Sequence, residues 1–113
     1  MPNQRQKGLI FCREVRKILE AMGHVVEGPG YSTAYFGNAL HPIHSDYFGL
    51  YDLISFFEGR YFFHQVSTIG HKSEKIKAIQ NHKMNGWVWL RIANKKEYRT
   101  FDVTENIVEE IYL

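Results

Sequence analysis

Two strongly β-forming runs meet at a two-residue connection, and that meeting restricts this chain more than any other feature. Residues 49–57 (GLYDLISFF) and 60–68 (RYFFHQVST) flank Glu58-Gly59. A turn this short makes the runs an antiparallel hairpin and pins their register, because a one-residue slip would turn every side chain to the opposite face. Each run carries a polar residue among apolar neighbours, Asp52 in the first and Gln65 in the second. The register set by the turn puts Asp52 and Gln65 opposite each other on one face, with Cβ atoms about 4.5–5.5 Å apart. A carboxylate and an amide oxygen converging there are suited to a hard cation such as Mg²⁺. Such an ion can orient a water and neutralise charge on a phosphodiester. The alternative is that the two side chains hydrogen-bond each other or solvent on a polar face.

The remaining segments group around this hairpin. Residues 9–22 show apolar positions at three- and four-residue spacing and predict a helix, with Gly23 at its C′ position. Residues 24–27 predict a short strand and 28–46 a long loop. Residues 73–82 predict a helix, 87–92 and 97–103 strands, and 104–113 a last helix with Thr104 as N-cap. A helix following a hairpin and leading into another strand places two strands in parallel. The expected fold class is therefore α/β, a central mixed sheet flanked by helices. At 113 residues the chain accommodates one domain, residues 1–113.

Composition removes several function classes. A single cysteine, Cys12, excludes a disulfide framework and any multi-cysteine zinc site. The pair His41 and His44 has no second half to complete a zinc set. The opening MPNQRQKG has no apolar core behind it, so no signal peptide is expected, and no apolar run approaches the roughly 20 residues of a membrane span. A cytoplasmic protein with no membrane partner is expected. The net charge of +2 hides segregation. Arg5, Lys7, Arg13, Arg16 and Lys17 gather near the start, Lys72, Lys75, Lys77 and Lys83 after the hairpin, and Lys95, Lys96 and Arg99 later, while Glu97, Asp102, Glu105, Glu109 and Glu110 crowd the C-terminal part. Basic groups facing one side would bind phosphate backbones; the alternative is an ordinary solubilising surface. Tyr31 and Tyr35 either stack on unpaired bases or cover the core edge.

The layout resembles the PD-(D/E)xK nuclease superfamily, and within it the small archaeal and viral Holliday junction resolvases, over roughly residues 7–92. Four features in order carry the resemblance. Lys7-Gly8 precedes a helix bearing Glu14; that helix ends at a glycine followed by a short strand; an Asp is embedded in YDLIS; and after a hairpin comes the acid-x-lysine position, here Gln65-Val66-Ser67. The resemblance implies a restriction-endonuclease-like core, Mg²⁺ or Mn²⁺ held by Asp52, Gln65 and Glu14, branched DNA as substrate and a homodimer. It also implies a lysine that assists the nucleophilic water. Ser67 cannot supply that charge, so Lys72 or Lys75 would have to replace it, and Ser67 would hydrogen-bond a phosphate or water. Failing that, the chain is a degenerate nuclease-fold protein that binds DNA or a protein partner without cutting. Asp46 is either a loop-ending turn residue or an extra ligand. His64, next to Gln65, should face the other side of its strand and pack, and Cys12 reads as a buried thiol.

Overall fold

The structure is a computed structural model that describes the backbone of residues 4–36, 39–45 and 47–113 and the side chains of 7–29 and 47–113. Helix α1 (Gln4–Ala21) is longer than its apolar stripe alone predicts. Cys12, Val15 and Leu19 form its buried face. It stops in a Schellman motif: Gly23, at φ +99°, donates to Glu20 O, and His24 N–H donates to Leu19 O, both at 3.0 Å.

Six strands make the main sheet in the order β1 (Val25–Glu27), β4 (Leu53–Phe57), β5 (Arg60–Thr68), β6 (Gly86–Arg91), β7 (Tyr98–Val103) and β8 (Val108–Ile111). All neighbours are antiparallel except β5 and β6, which run parallel. Their crossover is α2 (Lys72–Asn81), entered through a 3-10 turn at Ile69–His71. The chain is thus α/β with a mixed sheet, and the turn at Glu58-Gly59 has both residues at positive φ, the geometry that matches strand twist. The register pairs Leu53 with His64, as the turn predicts.

Alternation along the strands builds two cores. On one face α1 packs Cys12, Val15 and Leu19 against Val26, Leu53, Val66 and Trp89. On the other, α2 packs Ile76 and Ile79 against Tyr51, Val88, Leu90, Phe101 and Val103. Strand β6 is covered on both faces, which explains its unbroken apolar run.

Three expectations are corrected. Residues 28–46 are not a long loop: Gly30–Phe36 (β2) and Ala39–Ser45 (β3) pair as an antiparallel hairpin. The Gly37-Asn38 dipeptide between alternating residues is the hairpin signal that a loop reading overlooks. The strand expected from Gly49 starts only at Leu53, because residues 47–51 close a turn through Tyr47 N–H to Tyr51 O at 2.7 Å and Tyr51 N–H to Tyr47 O at 2.9 Å. The final helix is absent as well. The Thr104 hydroxyl does accept an N–H three residues on, from Ile107 at 3.2 Å, but the cap closes a turn between β7 and β8. A lone helix of this length is marginal in water, whereas the open edge of β7 offers a full hydrogen-bond ladder. Arg99 then grips Glu110 with two hydrogen bonds, at 2.9 and 2.7 Å.

Candidate functional site

The hairpin and the turn before it bring Asp52 against the 64–66 stretch of β5. Asp52 N–H donates to His64 O at 2.8 Å, and its Oδ2 accepts the Val66 N–H at 2.8 Å. Asp52 therefore brackets Gln65, using its carboxylate where the β4 ladder has stopped. Both residues are buried, at 7% and 8% exposure. Gly28 secures the approach: at φ +103° it runs so near Asp52 that a Cβ there would lie 2.7 Å from the Asp52 carbonyl oxygen. The Gly28 carbonyl is in turn held by Arg16 Nη1 at 2.7 Å. Ser67, two residues beyond Gln65, is half-buried opposite Leu90 of β6.

Other sequence-predicted residues lie elsewhere. Glu14 Oε1 accepts the Tyr98 hydroxyl at 2.6 Å and sits 3.3 Å from Arg91 Nε. The Arg91 guanidinium also covers the Phe11 ring at 4.5 Å. Burial first, and then the Glu14 hydrogen bond, push the Tyr98 hydroxyl well above its usual range. Glu14 is thus engaged on the α1 face. The Lys72 ammonium stands 4.4 Å over the Phe101 ring in β7, two strands away from β5. Lys75 is half-buried one turn along α2. Tyr31 and Tyr35 occupy β2, opposite His44 and Leu40. Asp46 lies outside the described residues. Among the described residues no three His, Cys, Asp or Glu side chains converge as metal ligands would.

Tertiary structure unites two of the basic clusters. Arg13 and Lys17, one turn apart on α1, share a groove of about 490 Å³ with Lys96 from the β6–β7 connection, lined as well by Ile10, Glu14, Ile18 and Tyr98. Lys7 is exposed on the same helix.

A buried polar chain runs behind the candidate site. Trp89 Nε1–H donates to His64 Nδ1 at 2.9 Å, His64 Nε2 meets Ser55 Oγ at 2.7 Å, and Ser55 Oγ meets His24 Nδ1 at 2.9 Å. An indole N–H is only a donor. His64 Nδ1 must therefore accept, and the ring proton sits on Nε2 and points at Ser55. This is the wrong tautomer for His64 to take a proton from Ser55, and both residues are fully buried. The Ser–His pair is structural. Burial and the neighbouring His24 push the His64 pKa down to about 3. Residue spacing did not disclose this chain, whose members come from three strands and a helix end.

No described helix is long and apolar enough to cross a membrane. Comparison with family models, with curated proteins and with solved structures finds no match.

Proposed function

We propose that the chain is a small restriction-endonuclease-like protein that hydrolyses phosphodiester bonds of branched DNA with Mg²⁺ or Mn²⁺, in the manner of a junction resolvase. The observation that carries this reading is Asp52 clamped across Gln65, one rung into the parallel pair β5–β6. The element order supports it: helix, short strand, an inserted hairpin, a strand entered directly after Asp52, a tight turn, the strand bearing Gln65 and Ser67, crossover helix, parallel strand. The donor set suits Mg²⁺, which keeps several waters and takes one or two carboxylates together with substrate phosphate oxygens. Asp52 and Gln65 would hold the ion, which when bound supplies charge neutralisation and a more acidic water. Arg13, Lys17 and Lys96 would hold the DNA backbone, and a protein working on DNA in this way belongs in the cytoplasm. For the homodimer, Val25, Phe56 and Tyr61 stand side by side across β1, β4 and β5 and remain exposed at 69%, 41% and 69%.

A second reading, a nuclease fold that binds without cutting, is favoured by three observations. Ser67 replaces the lysine, Glu14 is engaged by Tyr98 and Arg91, and Lys72 rests on Phe101. A nicking assay on four-way and linear DNA with Mg²⁺ or Mn²⁺ separates the two. The first reading expects junction cleavage that Asp52→Asn abolishes. Junction binding without nicking establishes the second, and cleavage unchanged in Asp52→Asn removes Asp52 from the site.

A further inference from the structure

A second groove lies toward the start of β5 and β6, and neither Asp52 nor Gln65 lines it. It measures about 440 Å³ and opens where β5 and β6 begin, among Arg60, Phe62, Asn85, Trp87, Asp102 and Thr104. Arg60 and Gln65 are five residues apart on one strand, about 16 Å at 3.3 Å per residue. Arg60 thus marks the rim farthest from the Asp52 site, and Phe63, two residues from Gln65, the groove's inner end.

Its walls have distinct chemistries. Phe62 and Trp87 are half-buried, with ring centroids 4.9 Å apart. The Arg60 guanidinium lies 5.6 Å from the Phe62 centroid at the rim. Asp102 is the register partner of Trp87, so its carboxylate stands beside the indole. It accepts no hydrogen bond from any described residue. Burial, and then the neighbouring Glu109, push its carboxyl above the usual range, while Arg60 pulls the other way. A half-buried carboxylate beside a like charge gains from an N–H donor more than an exposed one does. Flat apolar walls favour a planar partner, and Arg60 at the mouth favours an anion. The volume falls within the roughly 300–1,000 Å³ of small-molecule sites.

We propose that this groove binds an unpaired nucleotide whose base carries its amine at cytosine C4 or adenine C6, the position where guanine and thymine carry a carbonyl oxygen. The base stacks on the Trp87 indole beside the Phe62 ring, which is inclined at 49° to it, its amine donates to Asp102, and its phosphate pairs with Arg60. Thymine presents a carbonyl oxygen where cytosine presents its amine, so it meets Asp102 as acceptor against acceptor. Nucleotide binding here is independent of cleavage at Asp52.

The test is an NMR titration of the full chain with dCMP, dAMP, dTMP and deoxycytidine. The Trp87 indole N–H is the reporter, and the Trp89 indole, bonded to His64, serves as an internal control of folding. Expected are saturable shifts of Trp87 with dCMP and dAMP, binding of dTMP at least tenfold weaker, and a steady Trp89 signal. Asp102→Asn should erase the preference for dCMP over dTMP. Arg60→Ala, at an exposed position, should lower dCMP affinity to that of deoxycytidine. Equal binding of dCMP and dTMP, indifference to both substitutions, or no Trp87 response at millimolar nucleotide overturns the proposal.

Discussion

Acidification should unfold this protein through one imidazole. His64 is fully buried, accepts the Trp89 indole N–H on Nδ1 and offers its only proton to Ser55. A second proton would have to go on Nδ1, where it would face a donor in a fully buried site. Its pKa falls from the ordinary 6.5 to about 3, with burial the main cause and His24 the lesser one. Below pH 6.5 the unfolded chain takes up a proton that the folded chain refuses until about pH 3. Stability is therefore intact above pH 6.5 and falls as the pH drops through that window, by about 1.4 kcal/mol per pH unit. Going from pH 6.5 to 5 removes about 2 kcal/mol, and the whole window about 5 kcal/mol, a large share of the 5–15 kcal/mol typical of a domain. His24, lowered in the same sense by burial, steepens the fall. Urea unfolding at pH 7.5 and 5.0, read by tryptophan fluorescence, measures the slope. His64→Asn keeps an oxygen for the Trp89 N–H but cannot titrate, so its pH slope should be shallower by about 2 kcal/mol over that interval. Parallel slopes for the two proteins, or a His64 ring that titrates near pH 6.5 in the folded state by NMR, would show that this imidazole is not the acid trigger.

Asp52→Ala should cost about 1–3 kcal/mol because it orphans the buried Val66 N–H. Asp52→Asn, which keeps an acceptor, should cost less, and urea melts that reverse this order would break the assignment. Lys83 ends α2 at φ +54°, with Met84 N–H bonded to Ile79 O at 3.2 Å. Lys83→Gly should therefore stabilise by up to about 1 kcal/mol, because glycine takes this conformation without the Cβ penalty; a lower melting temperature would contradict it. Phe56→Lys should shift sedimentation toward the monomer while leaving the thermal melt nearly unchanged, if the exposed row across β1, β4 and β5 is the dimer face. DNA binding should weaken steeply with salt, and Lys17→Ala together with Lys96→Ala should flatten that dependence by about two phosphate contacts.

Local chemistry made much of the fold legible. The 3.6-residue stripe of α1, its glycine stop, the two-residue turn and the α2 crossover are each decided within a few residues of chain. Thr104 shows where local reading fails. Its hydroxyl caps the N–H of Ile107 as an N-cap would, but only the neighbouring edge of β7 makes the next segment a strand. Gly37-Asn38 fails in the opposite direction, a legible turn signal outweighed by the glycines and prolines around it. For the candidate site, the turn disclosed that Asp52 lies against the 64–66 stretch, but the ladder ends at Leu53 and His64, so Asp52 and Gln65 are not the cross-strand partners the turn predicts. It did not disclose that Asp52 spends an oxygen on Val66 N–H, since that depends on where β4 ends.

Alternation and turn geometry act over short stretches of chain, so the order of residues was enough to dictate the α/β class, the hairpin register and the neighbourhood of Asp52 and Gln65. Which partner each charge meets was left to the packed fold. Packing bound Glu14 to Tyr98 and Arg91, set Lys72 on Phe101, joined Arg13 and Lys17 to Lys96, and enclosed His64 between Trp89 and Ser55. Those pairings join residues far apart in the chain, and they exist only once helix and sheet have come together and water has been excluded.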